Sequence, residues 1–216
     1  MAYIWINPVV DSMYGSEAME KFLQKHGYKQ VKATENWLNI VKEKYRTWVS
    51  ASDRPLLDMR CPKTKQVLDE LDGTSKFTVP AIEPILVHCA REISAREDLK
   101  GEEKIITTPC QALADMGNSL GLPNTTFVPW NQFLTTLIEQ SVKDNEPLVT
   151  QQLQESPIPP GFFEGLELKT VSLTGEEQIR EYFQTRNSKE MTDDIQLVEI
   201  LFCKHGCHNG DGICSL

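Results

Sequence analysis

The sequence lacks the features that mark membrane, secreted and nucleic-acid-binding proteins. No apolar run approaches the length of a membrane span, and the opening "MAYIWINPVVD" has no positively charged segment like that of a secretory signal. Lysine and arginine are dispersed over a chain with a formal net charge of -9, so no basic stripe is available for a phosphate backbone. We therefore expect a cytoplasmic protein that neither inserts into a membrane nor binds nucleic acid.

Several short catalytic and binding motifs are also missing. The sequence contains no Walker loop, no dinucleotide-binding glycine fingerprint and no nucleophile elbow. The segment "HNGDG" lacks the ligand series and the terminal glutamate of a calcium-binding loop. These absences leave the cysteine residues as the strongest candidates for chemistry.

Composition and periodicity predict an α/β fold. With 40% hydrophobic and 25% charged residues among 216, the chain can bury one large core or two small ones. Apolar β-branched runs alternate with helical patterns, and "TENWLNIVKEKYRTWVS" predicts a helix whose core-facing residues include Val41, Tyr45 and Trp48. We expect a single domain over residues 1–216, or two lobes, about 1–145 and 160–216, joined by the proline-rich connection 146–161.

Three of the six cysteines follow predicted strands closely. Without a secretory signal, the cysteines are expected to be thiols or metal ligands rather than disulfides. Cys61, Cys110 and Cys203 each come directly after an extended apolar run. Because the carboxyl ends of parallel strands share one edge of a sheet, three thiols would converge there if these strands belong to one sheet. Cys207 could supply a fourth through the turn "GCHNGDG", whereas Cys89 lies in a predicted amphipathic helix and is expected to be a buried small hydrophobe.

Four thiolates can hold either a structural zinc ion or an iron–sulfur cluster. Structural zinc sites usually take their ligands in two close pairs, whereas Cys61 and Cys110 are solitary and lie after different strands. This spacing favours a cluster. The glycines at 206, 210 and 212 also suit a cluster, since they allow the backbone to approach closely and its N–H groups to point at sulfide.

A zinc knuckle is a second interpretation of the same C-terminal segment. Its ligands would be Cys203, Cys207, His208 and Cys214. It would leave Cys61 and Cys110 without a role. A glycine-rich tail with incidental cysteines is the third interpretation.

Three segments resemble the cysteine motifs of a known family. "PLLDMRCP", "TTPCQALADM" and "LVEILFCKHGCHNGDG" are similar, in this order, to the motifs TSCCPxW, MPCxxKxxE and ExMACxxGCxxGGGxP of the catalytic domain of iron-only (FeFe) hydrogenases. The flanking segments "VVDSMYGSEAMEKF" and "KFTVPAIEPILVHCAREI" agree with this resemblance, which is scattered over residues 8 to 213. The last motif is the most specific, because Glu199, the CxxxC pair and the asparagine-glycine are all present.

The resemblance implies a ligand set and a fold. The ligands of one 4Fe-4S cluster would be Cys61, Cys110, Cys203 and Cys207. Cys207 matches the cysteine that in the family also bridges to a diiron site. The implied fold is a hydrogenase-like α/β fold that contains a parallel sheet and holds the cluster at the carboxyl ends of its strands.

The sequence departs from the family at every position that we can match to the diiron site. Arg60 replaces a proton-relaying cysteine, and Leu113 replaces the lysine that anchors a cyanide ligand. Thr108 and Leu201 replace methionines that pack on the diiron unit, and Val79 replaces a serine. Because cyanide and carbonyl ligands need polar or charged partners, the resemblance implies a protein that does not turn over hydrogen.

Arg60 carries an expectation of its own because it precedes a proposed ligand. It would raise the potential of a neighbouring cluster or hold an anion near it. An ordinary surface salt bridge is the alternative.

These observations predict an electron-transfer protein. We expect one 4Fe-4S cluster in a subunit of a larger anaerobic redox complex, because a lone cluster needs a protein redox partner to supply or accept electrons. The first alternative is an oxidoreductase that reduces or activates a small molecule at the cluster or at a metal attached through Cys207. The second is an interaction module that zinc or a cluster stabilises.

Overall fold

The computed structural model describes residues 2–14, 16–71, 74–140, 158, 160–187 and 194–213. They belong to two compact units, each assembled from separate stretches of sequence. Unit 1 contains Met1–Glu35, Leu86–Ile158 and Cys207–Leu216, and unit 2 contains Asn36–Ile85 and Pro159–Gly206. The proline-rich connection 146–161 lies mostly outside the described residues.

Strands and helices alternate along the chain. The strands are β1 (Ala2–Trp5), β2 (Tyr28–Gln30), β3 (Leu56–Leu57), β4 (Lys104–Thr108), β5 (Thr125–Pro129), β6 (Thr170–Thr174) and β7 (Leu197–Leu201). The helices are α1 (Pro8–Met13), α2 (Ser16–Lys25), α3 (Trp37–Ala51), α4 (Pro62–Asp69), α5 (Ile85–Ala95), α6 (Gln111–Ser119), α7 (Trp130–Gln140) and α8 (Glu176–Asn187). All the strand pairs among the described residues are parallel, so the predicted α/β class with parallel sheets is confirmed.

Unit 1 is built on a four-stranded sheet with the order β2-β1-β4-β5. The β-branched run "KIITT" forms β4 at the centre of this sheet, where Ile105 pairs with Ile4 of β1 and with Thr126 of β5. The surrounding helices pack apolar residues against the sheet. Its buried members include Ile4, Met19, Leu23, Trp130 and Phe133.

Unit 2 is built on a three-stranded sheet with the order β3-β7-β6. The central strand β7, "LVEIL", is buried at all five positions, as expected for a strand of a parallel sheet that is covered on both faces. Four of these residues are apolar, and the exception is Glu199. A buried carboxylate needs hydrogen-bond partners, and Glu199 accepts from Arg60, Gly161, Phe162 and Ser172.

The strands that precede the cysteines do not share one sheet. β4, which precedes Cys110, belongs to the sheet of unit 1, whereas β3 and β7, which precede Cys61 and Cys203, are neighbours in the sheet of unit 2. β3 also ends earlier than expected, at Leu57, although the backbone N–H of Asp58 still donates to Val198 of β7. The expectation of one common sheet edge was therefore wrong.

The helical patterns predict the helices well. Val41 and Tyr45 on α3 are buried as expected, but Trp48 is 40% exposed, so the core-facing stripe is narrower than predicted. Cys89 on α5 is 6% exposed, which confirms a buried residue. In the described part of the chain, no helix combines the length and the apolar character required to cross a bilayer.

Candidate metal centre

The four predicted ligands divide into two pairs. Unit 1 contains Cys110 and Cys207, and unit 2 contains Cys61 and Cys203. None of the cysteines in the described part of the chain is in a disulfide. Each pair lies beyond the carboxyl ends of strands in its own parallel sheet, which is where α/β folds bind ligands.

Cys61 and Cys110 occupy equivalent positions in the two units. Each is the N-cap residue of the next helix, α4 or α6, and has an extended backbone. Neither sulfur makes a capping hydrogen bond. The two units therefore present a cysteine in the same way, at the start of a helix.

In unit 1, the C-terminal loop 207–213 is bound to the carboxyl ends of β4 and β5. Gly212 donates its backbone N–H to the carbonyl oxygen of Pro109 at 3.1 Å, and its own carbonyl accepts from the N–H of Asn131 at 2.9 Å. The Asn131 side chain donates from Nδ2 to the carbonyl of Asp211 at 2.9 Å. The loop therefore bridges the starts of α6 and α7.

Two glycines allow this close approach. A Cβ on Gly210 would lie 2.2 Å from the carbonyl oxygen of Pro109 and 3.0 Å from that of Cys207. A Cβ on Gly212 would lie 2.9 Å from the backbone nitrogen of Cys110. Both positions therefore exclude a side chain. The carbonyl oxygens of Pro109 and Cys207 both lie close to Gly210. Because Pro109 directly precedes Cys110, the backbones near the two candidate ligands of unit 1 lie close together.

The side chain of Asp211 caps α6. Its Oδ1 accepts a hydrogen bond from the backbone N–H of Gln111, the first residue of the helix, at 2.9 Å. Cys110 itself is 7% exposed, and the hydroxyl of the buried Thr108 donates to its carbonyl oxygen at 2.9 Å. The backbone on both sides of Cys110 is thus fixed.

In unit 2, Cys61 and Cys203 follow adjacent parallel strands. Leu57 of β3 pairs with Val198 of β7, and the backbone N–H of Asp58 donates to the carbonyl of Val198 at 2.9 Å. Past the strands, the Nζ atom of Lys63 in α4 lies 5.3 Å from the ring centroid of Phe202. The two cysteine-bearing segments therefore stay together beyond the sheet.

Arg60 and Glu199 connect these two segments through a buried charge network. The Arg60 guanidinium donates to both oxygens of Asp58, at 2.8 and 2.6 Å, and to Oε1 of Glu199 at 3.4 Å. All three side chains are at least nine-tenths buried. The hydroxyl of the buried Tyr45 also donates to Asp58, at 2.8 Å.

Glu199 is satisfied by donors from outside its own strand. Its carboxylate accepts from the backbone N–H groups of Gly161 and Phe162, at 2.6 and 2.9 Å, and from the Ser172 hydroxyl at 2.7 Å. The Arg60 guanidinium carbon lies 3.7 Å from the ring centroid of Phe162, within cation–π range. The acidic position in the last motif therefore holds the turn at Gly161 against the strand that leads to Cys203.

The network sets the protonation of two of its members. Burial alone would lower the pKa of Arg60, but the charge and hydrogen bonds of Asp58 outweigh burial and raise that pKa. Burial, and then the charge of Asp58, raises the pKa of Tyr45 well above its ordinary value. Arg60 is therefore a permanent cation, neutralised by carboxylates of its own unit. The alternative of a surface salt bridge was wrong, because the pair is buried.

The residues that depart from the hydrogenase motifs have ordinary structural environments. Leu113 and Leu201 are buried, at 8% and 5% exposure, and Val79 is 52% exposed. Leu113 therefore places an apolar side chain on α6, at the position where the family that the sequence resembles has the amine of a lysine. The hydroxyl of Thr108 is used locally, on the carbonyl of Cys110.

The zinc-knuckle interpretation falls partly on residues that are not described. Cys214 lies outside the described residues, and Cys203 and Cys207 belong to different units. His205 is exposed and has a positive φ of 63°, at the turn between these two cysteines. Within either unit, the described residues contain no group of three or more histidine, cysteine or acidic side chains arranged to hold a metal ion.

Sequence reasoning missed the residues that fix the candidate ligands. Asp58, Asp211 and Asn131 had no periodic or motif signal, because each acts through a contact that forms only in the folded chain. The glycines of the last motif were a usable signal, since they marked a close backbone approach. The approach observed is to Pro109 and Cys110. No protein-family model matches the sequence, and no curated protein matches it either.

Proposed function

We propose that this protein binds one 4Fe-4S cluster in a hydrogenase-like fold and transfers electrons within a larger anaerobic redox complex in the cytoplasm. The proposed ligands are Cys61, Cys110, Cys203 and Cys207. One observation supports this proposal above the others: each unit gathers two of these cysteines beyond the carboxyl ends of its parallel strands. The four cysteines that resemble the family's ligands are thus ordered in pairs by local contacts.

The residues present fit such a cluster. Thiolates are the donors that 4Fe-4S clusters take from proteins, and the proposed set has four of them. A side chain in place of Gly210 or Gly212 would collide with the backbone of Pro109 or Cys110, so these glycines allow the C-terminal loop to lie close to Cys110. The fully buried hydroxyl of Thr64, in the first turn after Cys61, has no hydrogen-bond partner among the described residues, and a hydroxyl can donate to sulfur.

The cluster would supply a one-electron redox centre. The protein's own groups would hold the ligands of the cluster in place and adjust its reduction potential. Cys61 and Cys110 are fixed at the N-termini of α4 and α6, where each would supply one ligand. The Arg60–Glu199 network holds the segment that ends in Cys61 beside the strand that leads to Cys203. Burial of Cys110 keeps water from its sulfur, which protects a cluster and sets its potential.

The same residues argue against hydrogen turnover. Leu113 and Leu201 offer only apolar surface, whereas cyanide and carbonyl ligands of a diiron unit need polar partners. Arg60 is a permanent cation and cannot relay protons as a thiol can. We therefore propose a subunit of an oxidoreductase rather than an active hydrogenase, with a separate protein as redox partner.

Anaerobic purification tests the proposal. The isolated protein should contain about four iron and four sulfide per chain, and reduction should give the EPR signal of a 4Fe-4S cluster. Cys110→Ser should lose the cluster, whereas Cys89→Ser, which changes a cysteine outside the proposed set, should keep it. Zinc without iron would reject the proposal, and infrared bands from carbonyl or cyanide would overturn the absence of a diiron site.

A further inference from the structure

A carboxylate of the C-terminal loop accepts a hydrogen bond at the start of α6. Backbone groups and the amide of Asn131 also hold residues 207–213 in place within unit 1. The bond from the Gln111 N–H to the exposed Asp211 carboxylate is 2.9 Å long. A hydrogen bond with one charged partner contributes more than a neutral bond does, and a helix N-terminus strengthens it further.

This contact lies between the two candidate ligands of unit 1. Gln111 directly follows Cys110, and Asp211 lies in the same loop as Cys207. The backbone carbonyl of Asp211 also accepts a hydrogen bond from the Asn131 side chain, so Asp211 contacts both α6 and α7. The carboxylate therefore couples the position of the loop to the position of Cys110.

We infer that Asp211 is a positioning residue that seats the C-terminal loop over Cys110 and thereby presets the Cys110–Cys207 half of the metal centre before iron arrives. The second part of this inference rests on the proposed function. The first part does not, since seating of the loop is a property of the iron-free chain. Without the carboxylate, the loop loses its charged anchor, Cys110 becomes accessible, and Cys207 no longer has a fixed partner.

Variants at both ends of the bond separate this role from simple loss of stability. Asp211→Ala removes the acceptor, and Asp211→Asn keeps an oxygen acceptor at the same place. Gln111→Pro removes the donor from the other side while placing proline at the first helical position, where it is tolerated; Pro62 already follows Cys61 in this way. Asn36→Ala is the matched control, because Asn36 caps α3, a helix that carries no cysteine, through a bond of similar length.

The first measurement uses iron-free protein and the rate at which iodoacetamide alkylates Cys110 under native conditions, followed by peptide mass spectrometry. Loss of an exposed helix cap worth about 1 kcal/mol predicts about a fivefold faster rate for Asp211→Ala and Gln111→Pro. Asp211→Asn, which keeps a neutral acceptor, should react at a rate between those of Asp211→Ala and the original chain, and Asn36→Ala should react within about twofold of the original chain. Equal rates for Asp211→Ala and the original chain would overturn the inference, and so would an equal acceleration by Asn36→Ala.

The second measurement is reconstitution with iron and sulfide. Asp211→Ala should take up less iron and give an altered EPR signal, and Asp211→Asn should restore both in part. If the original chain binds no iron, the proposed function fails, and the alkylation rates still decide whether Asp211 seats the loop. If iron uptake and the EPR signal are the same in all variants, the cluster does not need the preset loop and the inference fails while the proposed function stands.

Discussion

At the scale of single residues, Glu199 and Cys89 are two buried ionisable groups with opposite requirements. The carboxylate oxygens of Glu199 accept from donors in three separate segments. Cys89 lies in the buried part of α5, where burial disfavours its thiolate and raises the pKa of the thiol. Removal of the Glu199 carboxylate leaves its hydrogen-bond donors without an acceptor. The contribution of Cys89 to stability depends on pH.

Glu199→Ala should destabilise unit 2 strongly. The substitution leaves two backbone N–H groups and part of the Arg60 guanidinium buried without their acceptor, which costs about 3 to 5 kcal/mol for a broken buried ion pair. The free energy of unfolding in urea measures this change. Lys169→Ala, which breaks the exposed ion pair with Asp194, is the control and should change little. A small effect of Glu199→Ala would show that the network does not hold unit 2 together.

Cys89 should make the protein less stable at alkaline pH. Burial, and then the charge of Glu92, raises the pKa of this thiol from 9.0 to about 12. The folded state therefore keeps the proton to a higher pH than the unfolded chain does. The contribution to stability is complete below pH 9.0 and is lost as the pH rises towards 12.

Cys89→Ala isolates this contribution. Between about pH 9 and pH 10, the original chain should lose up to about 1 kcal/mol more than the variant does, since one pKa unit is worth about 1.4 kcal/mol. Urea unfolding of both proteins at a series of pH values gives the difference. Parallel pH profiles for the two proteins would contradict the raised pKa.

At the scale of elements, the helices that begin at cysteines are built against their own capping preferences. Serine, threonine, aspartate and asparagine are preferred at the N-cap because an oxygen accepts from the first turn, yet the cysteines that begin α4 and α6 make no capping bond with their own side chains. The first turn of α6 takes its capping oxygen from Asp211, whereas at α4 the cysteine costs stability that a serine would give. This cost is measurable.

Cys61→Ser should separate the two roles of this position. In iron-free protein, the serine oxygen can cap α4 and should raise the free energy of unfolding by about 0.5 to 1 kcal/mol. In protein reconstituted with iron, the same change should remove a ligand and abolish the cluster. Cys89→Ser, which buries a hydroxyl in α5, should instead destabilise the iron-free protein. Destabilisation of the iron-free protein by Cys61→Ser would mean that the thiol has a structural role.

The packing of α6 on β5 depends on a helical glycine. A Cβ on Gly117 would lie 2.2 Å from the ring of Phe127, which is 2% exposed. Gly117→Ala should therefore destabilise unit 1 by about 1 to 3 kcal/mol through overpacking, although alanine is the better helix former by about 1 kcal/mol. Adding Phe127→Leu makes room for the new methyl group. The double variant should be more stable than the sum of the single changes predicts, and additive effects would contradict the clash.

The elements themselves could be predicted because each depends on local periodicity. The run "KIITT" and the helical pattern after Cys110 both appear in the fold as expected. The choice of strand partners could not be predicted. β1 pairs with β4, which lies far from it in the sequence, and no local feature of either strand selects the other. For the same reason, the sequence indicated that cysteines follow strands but did not reveal that the strands belong to two sheets.

At the scale of the whole molecule, the proposed ligand set takes two thiolates from each unit. The binding free energy of a metal centre is also folding free energy, because the unfolded chain has no assembled site. Ligands that are far apart in sequence also close long loops when they bind a common centre. If the proposed ligand set is right, both effects would make iron a stabilising ligand of the complete chain.

Removal of iron should therefore lower the stability of the whole chain. Under anaerobic conditions, a chelator should shift the urea midpoint of cluster-loaded protein to a lower concentration, as measured by circular dichroism. Cys110→Ser, which lacks a proposed ligand, should show the same midpoint with and without the chelator. Identical midpoints for loaded and iron-free protein would indicate that the cluster does not contribute to folding.

The position of β7 limits when this protein can fold as it leaves the ribosome. β7 is the central strand of its sheet, yet it follows both of its neighbours in the chain. β3 and β6 therefore lack their common neighbour in the nascent polypeptide until Leu201 has been synthesised. The apolar "LL" of β3 is made first and lacks β7 for the longest time, so the sheet of unit 2 can form only late in translation.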